Sequence, residues 1–414
     1  MCIRDRVVAE SLMADVLGED WTIETTFVGS ELAGWTYTRP FELLDFPDGS
    51  SAHYIVTADY VTATDGTGLV HQSPAFGDED MAVARANDLP VVNPIGSNGH
   101  FEDSLPLVGG RFFKDADQTL VDDLASRRLL FASREFSHQY PHCWRCHTHL
   151  MYYALPAWYV RTTKVKQQLL DQNQRTAWYP PTIKHGRYGD WLNNNVDWAL
   201  SRTRYWGTPL PIWRNDTTGA IVLVGSLAEL AEHAGRDLSE LDPHRPFIDQ
   251  VTFSVNGEDG TYRRVPDVID AWYDSGAMPF AQWGYPHVAG SQDRFSKAYP
   301  ADYICEAIDQ TRGWFYSLMA VGTLVHDQSS YRNVVCLGHI LAEDGRKMSK
   351  HLGNILLPIP LMDAHSADAL RWFMACSGSP WSARLIGARV LEEVTRKVLL
   401  TLSLIHISEP TRPY

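Results

Sequence analysis

The sequence predicts an α/β protein whose second half holds a parallel sheet and whose first half is built from short strands, loops and a few helices. Three observations lead there. Two strand candidates, Asp302–Cys305 and Val334–Leu341, flank a helical pattern, Asp309–Leu324. In that pattern Trp314, Leu318, Val321 and Val325 recur at i, i+4, i+7 and i+11, the spacing of one helix face turned toward a sheet. Before about Ala154, by contrast, residues 7–140 are rich in Gly, Thr and Asp and carry only short candidates such as the β-branched, alternating Tyr54–Thr62.

With 414 residues the chain has room for two or three domains, and with 44% hydrophobic and 11% aromatic residues it buries large cores. No apolar run reaches bilayer-crossing length and no secretory signal opens the chain. The six cysteines are scattered apart from Cys143 and Cys146, which excludes a disulfide framework and favours a reducing cytoplasm. A net charge of −14 argues against generic coating of nucleic acid and leaves only a local basic patch for phosphates. The ends read as non-native. Residues 1–6 lead abruptly into a helix pattern, and residues 403–414 break a good helix, with Pro410 and Pro413 forbidding its continuation.

In chain order, the first chemical string is Gly66–Asp80, G-T-G-L-V-H-Q-S-P-A-F-G-D-E-D, leading into a helix near Met81–Asn87. Taken singly, Asp80 reads as a helix cap and His71 as a structural histidine. Pro141–Leu150, P-H-C-W-R-C-H-T-H-L, follows. Cys143 and Cys146 supply two of the four ligands of a tetrahedral Zn²⁺ site. Either His147 or His149 completes the sphere locally, or the pair stays without metal. Asn195–Trp213 is dense in Trp and Arg, as expected of an aromatic core with surface arginines.

Glu306, Asp309 and Gln310 fall just past the carboxyl end of a strand, where doubly wound sheets bind ligands. Carboxylates there accept hydrogen bonds from ribose hydroxyls or an α-ammonium group, although Asp309 alone would pass for a cap. The last string, Asp344–Asn354, is D-G-R-K-M-S-K-H-L-G-N. Gly345 allows a sharp turn, and Lys347 and Lys350 place two ammonium groups on a short polar loop. That suits a polyphosphate whose charge grows as its leaving group departs.

Taken together, these strings resemble the class I aminoacyl-tRNA synthetases. K-M-S-K followed by G-N is similar to the signature loop of that family, with His351 where the family has its final serine. The strings E-A-I-D-Q-T-R-G-W-F and S-R-T-R-Y-W-G-T-P-L-P-I-W resemble the isoleucyl branch more than the valyl or leucyl ones, with Ala307 in place of the usual glycine. The resemblance implies a Rossmann-type parallel sheet, second half, over 154–378. Lys347 and Lys350 would be catalytic. Glu306, Asp309, Gln310, Gly338, His339 and Lys350 would bind ATP or the adenylate, and Trp272 and Trp314 would line the amino-acid side-chain pocket.

For the first half it implies the C-terminal part of an inserted, mostly-β editing domain over 7–140. There Asp80 would hold the α-ammonium group and His71 would limit side-chain size, with Glu79 where the family has an aspartate. Residues 141–153 would be a junction in which Cys143 and Cys146 form half of a zinc site completed from upstream. Residues 379–402 would begin a helical anticodon-binding domain. The strings H-x-G-H and the threonine-rich editing strand are absent from these 414 residues, so a central fragment, inactive alone, is expected. The implied substrates and partners are Mg-ATP, isoleucine and tRNA(Ile), with no membrane. Two alternatives remain open: a tRNA- or nucleotide-binding module without catalysis, and a valyl or leucyl enzyme.

Overall fold

The computed structural model describes residues 6–408 except 136, 138, 144, 145 and 351. His351 and the outer parts of both tails therefore lie outside the described residues. The chain divides into two compact units, Met1–Pro156 and Ala157–Tyr414. No helix among the described residues is long and apolar enough to cross a membrane.

In the first unit, strand pairing among the described residues is limited to isolated bridges: Thr36 with Tyr54, Ile95 with Phe101, His100 with Phe112 and His142 with His149. The region expected to be mostly β is thus bridged loop with short helices, and the strand expected over Tyr54–Thr62 does not form. Ile55 does exchange backbone hydrogen bonds with Gly34 (2.9 Å) and Trp35 (2.8 Å), but Val61 N–H then closes a turn on the Ala58 carbonyl. β-Branched alternation favours an extended segment, yet a strand needs a partner along its length, and here the turn removes it. The expected helix is present as α1, Asp78–Ala86, starting three residues early. Asp78, Glu79 and Asp80 in its first turn and Arg85 in its last complement the helix dipole.

Near the start of the second unit, after a short strand Tyr159–Val160, come helix α2, Lys166–Arg175, and strand β1, Ala177–Tyr179. A small antiparallel sheet follows, with Ile212–Asn215 between Ile221–Leu223 and Tyr262–Arg264. Next come helix α3, Ala271–Ala281, strand β2, Ala301–Ala307, helix α4, Trp314–His326, and strand β3, Tyr331–Leu337. The three strands form a parallel sheet in the order β1–β3–β2. Parallel neighbours cannot be joined by a hairpin, and α4 supplies the crossover from β2 to β3. Val334 in the central strand lies opposite Trp178 on one side and Ile304 on the other. Leu169, Tyr188, Leu192, Phe315, Leu318 and Met319 pack onto that row. Each such side chain removed from water contributes about 1.5–3 kcal/mol.

Three expectations are corrected here. β2 is not a buried strand: it lies at the sheet edge, and only Ile304 of its seven residues is buried. The helix expected from Asp309 begins instead as a 3-10 turn, Ile308–Arg312, because the chain kinks at Gly313 before α4 starts. The stripe Trp314–Leu318–Val321–Val325 is not a single sheet-facing stripe. Residues Phe315–Thr323 are all buried, Val321 packs toward Phe280 and Phe295, and Val325 is exposed. Helix α4 is sandwiched between the sheet and α3, so burial on all sides overrides a one-face pattern. Where α3 and α4 cross, a Cβ on Gly276 would sit 2.5 Å from the Ser317 carbonyl oxygen, so only glycine permits this approach.

After β3 the chain forms β4, Ile340–Ala342, then helices α5, Pro358–His365, and α6, Ala367–Cys376, and strand β5, Arg384–Ile386, which pairs parallel with β4. The sequence suggests a helical stretch over Ala367–Ala375, after Pro358, and helix α6 matches it; α5 was not foreseen. The C-terminal helix runs Leu400–Ser408, past Leu402 where the sequence suggested that it gives way. Proline restricts itself and the residue before it, and the first proline is Pro410, so nothing local stops the helix at Leu402.

Candidate active site

Strands β2 and β3 end side by side, with Cys336 opposite Glu306 and Leu337 opposite Ala307. Beyond them, the 3-10 turn lifts Asp309 above the strand ends and brings its Oδ1 to 3.8 Å from His339 Nδ1. Glu306 is exposed on the same edge. Gln310 turns toward the helix: its Oε1 accepts the Trp314 N–H (3.0 Å) and its Nε2 donates to Asp309 Oδ2 (3.3 Å). The cap on α4 therefore belongs to Gln310 and not to Asp309, which leaves Asp309 facing His339. Beneath them, burial pushes the Cys336 thiol up to about 11, so it remains protonated.

Gly338 marks a second close approach. A Cβ at this position would lie 2.2 Å from the Ser382 carbonyl oxygen, and Gly338 N–H donates to the Pro380 carbonyl (2.9 Å). This crossing breaks the strand expected over Val334–Leu341 into β3 and β4, because the backbone must leave one sheet to join β5.

The two candidate pocket tryptophans stand at the starts of neighbouring helices. Trp272 is the second residue of α3 and Trp314 the first of α4. The Trp314 Nε1–H donates to the Ser275 carbonyl (3.2 Å). A Cβ on Gly313 would meet the Trp272 ring at 3.0 Å, so glycine lets that indole lie against the turn. Trp272 is 44% exposed, so part of its indole stays open to a ligand.

The K-M-S-K loop follows β4. Gly345, at φ +81°, closes the turn with its N–H on the Ala342 carbonyl (2.9 Å). Met348 packs against Phe373, Ile386 and Leu391 and so pins the loop to α6 and β5. Asn354 staples it across: its Oδ1 accepts the Ser349 N–H (2.9 Å) and its Nδ2 donates to the Lys347 carbonyl (3.2 Å). Between these anchors Lys347 and Lys350 are exposed. Among the described residues no contact joins either ammonium group to the Asp309–His339 pair.

The family model for tRNA synthetases class I (I, L, M and V) matches residues 16–384. The chain belongs to this family. Isoleucine–tRNA ligase of Cutibacterium acnes is 63% identical over 96% of this chain and 37% of its own length. That of Streptomyces coelicolor is 65% identical over 95% and 38%, and that of Thermus thermophilus 45% identical over 96% and 37%. The chain thus spans little more than a third of these relatives. Methionyl-tRNA synthetase of Mycobacterium tuberculosis in complex with methionyl-adenylate superposes with a TM-score of 0.42, at 17% identity over 66% of this chain and 45% of that one.

In the first unit of this class I synthetase chain, Asp80 lies at the third position of α1 and is not its cap; Gly77 occupies that place. The Asp80 carboxylate reaches back to the preceding loop, accepting from the Tyr60 hydroxyl (2.9 Å) and the Ser73 N–H (2.9 Å). Gln72 Nε2 donates in turn to the Tyr60 oxygen (3.0 Å). His71, one residue before Gln72, is exposed.

At Cys143 and Cys146, the His147 N–H donates to the Cys143 carbonyl (2.9 Å). The Thr148 hydroxyl, 3.2 Å from Cys146 Sγ, together with Cys143 lowers the Cys146 thiol to about 7. Two such thiols suit zinc, but among the described residues no group of three His, Cys or carboxylate side chains could hold a metal. Neither His147 nor His149 completes the site there, and the pair offers half a tetrahedron.

Several contributors escaped the sequence reading. Asn354 and Met348 hold the loop, and Arg187 Nε donates to the fully buried Thr311 hydroxyl (2.9 Å), bringing a guanidinium to the turn that carries Asp309. The signal for Asn354 was its place in the G-N pair shortly after the K-M-S-K string; nothing local announced Arg187, 124 residues upstream of its partner.

Proposed function

We propose that the whole protein is an isoleucine–tRNA ligase. It would activate isoleucine with Mg-ATP, transfer it to tRNA(Ile), and hydrolyse valyl-tRNA(Ile) in the first unit. The observation that carries this reading is the 63% identity to an isoleucine–tRNA ligase across 96% of the chain. The geometry of the strand ends supports it. The isoleucine carboxylate attacks the α-phosphorus of ATP, the bond to the β-phosphate oxygen breaks, and pyrophosphate leaves. A tRNA ribose hydroxyl then attacks the adenylate carbonyl and releases AMP. No protein nucleophile is needed, so catalysis is positioning and electrostatics.

In this reading Glu306, Asp309, Gln310, Gly338 and His339 hold the nucleotide and the amino acid's polar end, and Trp272 and Trp314 hold the aliphatic side chain. Lys347 and Lys350 reach out from their anchored loop to neutralise departing pyrophosphate. Asp80 grips the α-ammonium of a mischarged residue, His71 excludes the larger side chain, and Cys143 and Cys146 contribute half of a structural zinc site. A cytoplasmic location belongs to the same reading. The 414-residue chain contains no H-x-G-H string, whose histidines bind ATP phosphates in the family, so by itself it is expected to be inactive. The test is aminoacylation by the whole protein: it should charge tRNA(Ile) with isoleucine, and charging of tRNA(Val) or tRNA(Leu) with their own amino acids instead would refute it.

A further inference from the structure

The S-R-T-R-Y-W-G string is joined to the V-I-D-A-W string by a short antiparallel pairing, Ser201 with Ile269 and Arg202 with Val268. At its end Asp270 is buried, 5% exposed, and its carboxylate is engaged by three donors. Arg202 Nη2 donates to it at 2.7 Å, Trp198 Nε1 at 3.1 Å, and the Trp272 backbone N–H at 3.2 Å. Arg202 is itself held by the carbonyls of Ala199 (2.7 Å) and Ser201 (2.9 Å). We propose that Asp270, clamped by Arg202, is a positioning residue that fixes the Trp272 wall of the amino-acid pocket and with it the choice between isoleucine and valine.

The inference rests on the reading of Trp272 and Trp314 as pocket walls. Asp270 is the N-cap of α3, so its carboxylate fixes where that helix begins and where its second residue, Trp272, points. The other wall is referenced to the same helix one turn on, because the Trp314 indole donates to the Ser275 carbonyl of α3. Gln310 caps α4 at Trp314 in parallel fashion. Both indoles are therefore registered to one helix start. A buried carboxylate there needs a paired cation. The need is sharper because Asp274, one turn on, is a second carboxyl, shifted upward by burial and by the charge of Asp270. Isoleucine and valine differ by one methylene, and this pair is the standard example of a difference that a pocket resolves by only about 10–200-fold. A small displacement of one wall erodes so narrow a margin.

The test uses the whole protein and amino-acid-dependent ATP–pyrophosphate exchange. Asp270→Ala should raise KM for isoleucine, leave KM for ATP within about twofold, and lower the isoleucine-over-valine ratio of kcat/KM by at least about fivefold. Asp270→Asn keeps an acceptor for the Trp272 N–H and loses the charge, so its ratio should fall between; it also decides the matter if the alanine variant does not fold. A ¹⁹F spectrum of 5-fluorotryptophan protein, with the Trp272 signal assigned by Trp272→Phe, should show that signal displaced in Asp270→Asn. A folded variant with an unchanged ratio and an unmoved Trp272 signal overturns the proposal. So does one in which KM for ATP and isoleucine rise together at constant ratio, since that is a merely structural role. Absence of isoleucine-dependent exchange in the unsubstituted protein would instead refute the proposed function.

Discussion

Lys350 and Asp80 show how differently single residues carry information. Lys350 is exposed on a loop anchored at Met348 and Asn354, so its charge can be delivered without rearranging a core. In the whole protein Lys350→Ala should lower the isoleucine activation rate by about a hundred- to a thousand-fold, the usual cost of one donor to developing charge, with little change in isoleucine affinity. Single-turnover kinetics separate the two, and an unchanged rate would mark the loop as a solvated turn. Asp80 is already tied to Tyr60 and Ser73, which orient its carboxylate. Asp80→Ala should abolish hydrolysis of valyl-tRNA(Ile) and spare isoleucine activation, whereas His71→Ala should admit isoleucyl-tRNA(Ile) to hydrolysis. Deacylation assays on both charged tRNAs read this out; intact editing in Asp80→Ala would contradict the assigned role. The residue types of the site were legible because K-M-S-K and D-Q-T-R-G-W-F are contiguous strings. Contacts such as Arg187 to Thr311 were not, since they join distant segments and leave no local spacing.

At the scale of elements, helices with strong local signals were found, and two of the three strand candidates formed, though with limits or burial misjudged. Helix α6 lies where its pattern placed it, within one residue at its end. Strand limits failed where partners decide them: Tyr54–Thr62 lost its partner to a turn, and Val334–Leu341 was cut at Gly338 by the close passage of Ser382. Helix α4 carried an ambiguous stripe because it is buried on nearly all sides. Its contact with α3 depends on Gly276. Gly276→Ala would force a methyl to 2.5 Å from the Ser317 carbonyl oxygen and 2.9 Å from Val321 Cγ2. Overpacking of this kind costs about 1–3 kcal/mol. The expected result is a lower thermal unfolding midpoint together with weaker isoleucine binding, because Trp272 and Trp314 sit at the ends of the same two helices. An unchanged midpoint would mean that the helices separate freely.

For the molecule as a whole, the change in texture near Ala154 was legible from composition, and the two compact units divide at Pro156. The mostly-β character expected of the first unit was not borne out among the described residues, where glycine-rich loops are held by bridges and side-chain hydrogen bonds and not by ladders. Between the two candidate sites in sequence comes the Cys143 and Cys146 pair, which no third His, Cys or carboxylate joins into a metal-holding group among the described residues. If the remaining ligands come from elsewhere in the whole protein, Cys143→Ser with Cys146→Ser should release its zinc, measured by atomic absorption; retained zinc would remove these cysteines from the site. The central claim is that the edge shared by β2 and β3 activates isoleucine. Its most direct test is ATP–pyrophosphate exchange by the whole protein with isoleucine, valine and leucine in turn. The account predicts robust exchange with isoleucine and essentially none with leucine. Exchange with valine should be weaker in kcat/KM by the about 10–200-fold that one methylene ordinarily allows, for which this pair is the standard example. Exchange driven best by valine or leucine, or by no amino acid, would contradict it.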